Sequence, residues 1–125
     1  MNEVEDAEHL FWKIAASCLA QPDGDRSTMM GSACLRREGR FCAAVDRRNG
    51  QLLVKLSADR VEELIEEGEG ETFAPAGRVF REWLAVPNGE EASWRVRIDE
   101  AWRFAGVEES LPTRRRRRQE SPPSS

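Results

Sequence analysis

Apolar positions near the start of the chain recur every three or four residues: Leu10, Phe11, Ile14, Ala15, Cys18 and Leu19. That spacing predicts an amphipathic helix over 6–20. Its acidic first turn suits the positive end of a helix dipole. The stretch QPDGDRS then breaks the pattern, with Pro22 and Gly24 as punctuation. From 29 to 56 the pattern changes to short apolar runs, SACLR, RFCAAVD and QLLVKL. These read as three strands joined by two similar turns, RREGR and RRNGQ. Each turn has Gly where a three-residue hairpin loop needs positive φ, and Asn49-Gly50 also fits a two-residue turn. With the loop Arg37-Glu38-Gly39, Arg36 faces Arg40 and Cys34 faces Cys42.

LSADRVEELIEEG predicts a second helix, with Ser57 as N-cap and Gly68 at the position after the C-cap. Ala58, Val61, Leu64 and Ile65 share its apolar face. Two short strands follow, near 71–74 and 79–86, around a Pro75-Ala76-Gly77 turn. Asn88 can cap a last helix that sets Trp94, Ile98, Ala101, Trp102 and Ala105 on one face, with Gly106 as its stop. Trp94 and Trp102 are the residues expected to pack this helix on the sheet. The order α-β-β-β-α-β-β-α predicts an α+β domain over 1–107, an antiparallel sheet of about five strands backed by helices. Residues 108–125 read as a disordered tail rich in Arg, Pro and Ser.

Charge narrows the function. The 23 acidic and 19 basic residues of the 125-residue chain give a net charge of −4. Residues 114–125 hold five Arg and one Glu, so the body carries −8 against +4 on the tail. An acidic body is a poor general match for a phosphate backbone. No apolar run is long enough to span a membrane, and the acidic N-terminus lacks a signal-peptide core, so the chain is expected in the cytoplasm. Three cysteines without a CxxC argue against a disulfide framework or zinc site.

From Thr28 to about Phe104 the chain resembles the TfoX (Sxy) N-terminal / YjbR (MmcQ) superfamily of small bacterial proteins. The matching stretches are TMMGSACLRREGRFCAAVD and LLVKLSADRVEELIEEGEGETFAPAGRVFREWLAVP. They carry a Met-Gly element before a strand, a helix of the RVEELIEEG type, and an F-x-P-x-G-R turn leading to a strand that ends in VP. Met29-Met30-Gly31-Ser32 stands where the family commonly has M-F-G-G. The resemblance implies a double-wing-like α+β fold. It also implies a regulatory role, with nucleic acid or a transcription-associated protein as partner.

Candidate contact residues follow from charge and stacking. Arg36, Arg37 and Arg40 decorate one turn, and Arg47 and Arg48 the other, roughly 20 Å away along the shared strand. GRVFREW offers Arg78, Arg81 and Trp83, a mix suited to a base, an acidic peptide or a small ligand. Arg114, Arg115, Arg116, Arg117 and Arg118 can hold phosphates without reading sequence. A protein- or ligand-binding domain with no nucleic-acid role is the alternative.

The run Glu62, Glu63, Glu66, Glu67, Glu69 and Glu71 reads as a solvated helix face, not a cation site. No catalytic motif, cofactor loop or metal-ligand spacing is present. His9, the only histidine, sits about 13 Å of helix rise from Cys18, too far for a dyad. A Cys34/Cys42 redox pair is the remaining enzymatic alternative.

Overall fold

The computed structural model describes residues 3–29, 31–87 and 90–110. The N-terminal apolar spacing forms α1 (Glu3–Leu19), which buries Ala7, Phe11, Ile14, Ala15 and Cys18. Three strands lead on from it: β1 (Gly24–Met29), β2 (Ser32–Arg37) and β3 (Arg40–Val45). The rest of the sheet is β4 (Leu52–Lys55), β5 (Glu71–Phe73) and β6 (Phe80–Val86). α2 (Ala58–Glu66) lies between β4 and β5, and α3 (Glu91–Ser110) follows β6. All pairings are antiparallel, in the order β1-β2-β3-β4-β6-β5. The fold is α+β: a six-stranded antiparallel sheet backed by three helices.

The sixth strand is β1, in a segment that reads as a helix-breaking loop. GDRSTM has a single large apolar residue, and none of the strand is buried. Pairing recruits it: β1 runs along β2 from Gly24↔Arg37 to Met29↔Ser32. Two arginines fasten it. Arg36 pairs with Asp25, and the Arg26 guanidinium lies 4.4 Å from the Trp12 ring centre.

The β2–β3 turn is tighter than the spacing suggests. Arg37, not Arg36, pairs with Arg40, so the loop is Glu38-Gly39 alone. Both residues have positive φ, 51° and 79°, the type I′ requirement. Cys42 is then an extra residue on β3, since Leu35 faces Ala43 while Arg36 faces Phe41. Cys34 therefore faces Ala44, and the bulge sends the two thiols into different clusters. The β3–β4 turn is longer than expected. Asp46 N–H donates to Gln51 O (2.9 Å), leaving the four residues 47–50 as the loop. The Asp46 carbonyl accepts from both Asn49 and Gly50.

α2 follows its sequence signals closely. Ser57 Oγ accepts from Arg60 N–H, and Gly68 adopts φ 79°. Gly68 donates to Ile65 O and Glu69 to Leu64 O, which ends the helix in a Schellman motif. α3 does not stop at Gly106 but runs to Ser110. Asn88 lies outside the described residues.

The core has two parts. Phe11, Leu35, Leu52, Leu84, Trp94 and Ile98 anchor the part shared with the helices. The other part, Cys34, Ala44, Leu53, Phe73, Trp83 and Ala85, contains no helix residue. Trp94 is fully buried, but Trp102 is only half-buried.

Candidate binding surfaces

Most turn arginines are occupied within the protein. Arg37 is three-quarters buried; its Nε donates to Asp23 Oδ2 (2.8 Å) and its Nη1 to the Trp102 carbonyl (3.0 Å). Its guanidinium also lies 4.8 Å from the Trp102 ring centre. That joins β2 to α3, a structural role that the charge pattern does not reveal. Arg36 Nη2 meets Asp25 Oδ2 at 2.6 Å. Arg48 grips the buried Asp46 carboxylate through Nε (3.0 Å) and Nη2 (2.8 Å). Arg40 is half-buried, and Arg47 is exposed; neither side chain makes an ion pair with a described residue. The two turns thus form no shared basic patch.

The β6 segment is different. Arg81 is exposed and makes no ion pair with a described residue, while Trp83 is 8% exposed. Both line a groove of about 240 Å³ between β6 and α2, with Val61 and Ile65 on the helix side. Val79, more than half exposed, stands at the same groove, and Glu62 and Glu66 of α2 complete it. The Arg78 guanidinium stacks at 5.3 Å on Phe80, whose ring stacks on Phe73. The sequence-predicted group Arg78, Arg81 and Trp83 therefore clusters, but Trp83 serves as floor rather than as an open stacking surface.

The cysteines do not form a redox pair: all three are free and buried, and Cys34 and Cys42 lie in separate clusters. Burial pushes the Cys34 and Cys42 thiols up to about 12 and also raises Cys18. Unfolded thiols titrate at their ordinary 9.0. The stabilising contribution is therefore full below pH 9 and declines as pH rises toward 12, because only the unfolded chain releases these protons. The urea midpoint is expected to fall between about pH 8 and about pH 10. A Cys34→Ala/Cys42→Ala variant, compared at both pH values, should show a smaller fall. A thiol reagent at neutral pH should label these sulfurs only when urea unfolds the chain.

A second cavity went unsignalled in the sequence. It is about 200 Å³ and has Met29, Leu53, Phe73 and Pro75 as apolar wall, with Ser32, Asp46, Arg47 and Arg48 beside them. Ser32 and Asp46 are the only buried polar residues among those described. Only the polar end of an otherwise apolar strand, VDRRNG, hinted at Asp46.

His9 is exposed on α1. Among the described residues no group of three His, Cys, Asp or Glu side chains can hold a metal, and no helix is long and apolar enough to cross a membrane. Arg114–Arg118 lie outside the described residues. Comparison with protein-family models, curated proteins and solved structures gives no match to this chain.

Proposed function

We propose that the chain is a non-enzymatic regulatory module of the TfoX/YjbR type, with a double-wing-like domain that docks a transcription-associated protein. The carrying observation is the β6–α2 groove. It sets Arg81, which makes no ion pair with a described residue, and an exposed Val79 against Glu62 and Glu66, over a floor that includes Trp83. Mixed charge around apolar surface suits a protein segment better than a polyanion. The pairing of Arg36, Arg37 and Arg48 with aspartates supports the same choice, because it leaves only Arg40 and Arg47 of the turn arginines without an aspartate among the described residues.

Direct nucleic-acid contact is the second reading, favoured by the five tandem arginines at 114–118. Those contacts are sequence-independent and steeply salt-dependent. Fluorescence anisotropy on labelled duplex and single-stranded DNA separates the readings. Full-length chain is compared with a variant carrying Ser at 114–118, each at two salt concentrations. Any binding is expected to weaken with salt and disappear in the variant. Binding that survives there, and is lost on substituting Arg78 and Arg81, would place nucleic acid on the folded body and overturn the protein-partner reading.

A further inference from the structure

We infer that the cavity between β1, β4 and the β3–β4 turn binds a small organic acid, with Arg47 holding its carboxylate. Four observations carry this. The first is charge. Arg48 is committed to Asp46 through its Nε, Nη2 and backbone N–H, and that guanidinium holds the Asp46 carboxyl below the usual carboxylate value. Arg47 has no carboxylate partner among the described residues. Two guanidiniums against one carboxylate leave a single positive charge at the cavity, which suits a monoanion.

The second is an idle donor. Ser32 is 6% exposed, and its Oγ accepts from Arg47 N–H at 3.2 Å. Its own proton has no acceptor among the described residues, although buried hydroxyls normally find one. A carboxylate oxygen reaching Arg47 at this wall supplies that acceptor.

The third is the backbone at Gly31, which has φ 82°. A Cβ there would lie 2.6 Å from Arg47 Nη1. Glycine serves the positive φ of the β1–β2 turn, and the Arg47 guanidinium lies against its bare backbone beside the cavity.

The fourth is size. A cavity of about 150 Å³ holds benzene, and this one is about 200 Å³. It falls below the roughly 300–1,000 Å³ of sites for larger ligands. Its occupant is thus a benzene-sized apolar body against Leu53 and Phe73, carrying one carboxylate toward Arg47. A guanidinium matches that planar group through two parallel hydrogen bonds.

This site is separate from the β6–α2 groove, so its failure leaves the partner reading standing. The test is a titration of isotope-labelled full-length protein with phenylacetate, followed by amide chemical shifts. Phenylacetamide, of the same shape without the charge, is the matched probe. Expected are shifts at Ser32, Arg47 and Leu53 and a Kd of about 1 mM or tighter. Phenylacetamide should bind at least about tenfold more weakly, and so should phenylacetate to Arg47→Gln. Arg103→Gln, an exposed change on α3, should leave binding unaltered. Ser32→Ala is the second variant, expected to weaken phenylacetate more than phenylacetamide. Shifts absent at millimolar phenylacetate, equal affinity for the two probes, or undiminished binding by Arg47→Gln would each overturn the inference.

Discussion

Trp94→Ala is expected to lower the unfolding free energy by about 3–5 kcal/mol, the usual cost of deleting a large aromatic from a core. Trp94 is shut off from water and is the largest completely buried side chain among the described residues. It sits one turn into α3 and inserts that helix into the cluster shared with Phe11, Leu35 and Val54. Its indole Nε1 donates to the Pro87 carbonyl (3.0 Å), so truncation also removes a hydrogen bond that ties β6 to α3. Domains are typically stable by about 5–15 kcal/mol, so the loss is a large share of the whole. The measurement is urea unfolding by circular dichroism, with an unchanged slope and a sharply lower midpoint. Trp94→Phe should recover part of the loss, because it keeps one aromatic ring in the core but gives up the second ring of the indole and its donor. Trp102→Ala should cost less, since that ring is half-buried and leans on Arg37. An unaltered midpoint for Trp94→Ala would show that α3 is not anchored as described.

How much of this was legible depends on whether local or long-range physics decides the feature. α2 was readable because its start and stop are local: a Ser57 hydroxyl on Arg60 N–H and a left-handed Gly68. The β5–turn–β6 unit was readable for the same reason, with Pro75 and Gly77 marking the turn. β1 was not, because an edge strand of polar residues has no apolar alternation and exists through its pairing with β2. The register of β2 on β3 was not either. One extra residue, Cys42, moves every pairing beyond it, and the sequence cannot say where a bulge falls. Gly106 illustrates the reverse error. It looks like a helix stop, yet α3 continues through it. Its function is spatial: a Cβ there would lie 2.3 Å from Arg37 Nη1. The site residues divided along the same line. Arg78, Arg81 and Trp83 are close in sequence and came together, whereas the cavity beside Arg47 joins residues from four separate segments.

Arg37 gives the sharpest contrast between a charge read from sequence and a charge placed in a fold. Arg37→Ala is expected to cost about 2–4 kcal/mol, because it strands the partners of a partly buried cation. Asp23, 22% exposed in its side chain, loses the donor at 2.8 Å, and the Trp102 carbonyl loses the donor at 3.0 Å. The Trp102 ring also loses the guanidinium stacked on it. Arg37→Lys should rescue little, since an ammonium cannot serve a carboxylate, a carbonyl and a ring face together. Gly106→Ala tests the same contact from the other side. Helix propensity alone favours alanine by about 1 kcal/mol. Here the added methyl must push Nη1 away from Trp102, so a net loss of stability is expected. Thermal and urea unfolding of the three variants check this, alongside DNA anisotropy. If Arg37 contacted nucleic acid, Arg37→Ala would weaken DNA binding and leave the unfolding midpoint in place. The arrangement of Asp23, Trp102 and Gly106 around one guanidinium requires the opposite: a lower midpoint, and no change in any binding carried by the arginines at 114–118.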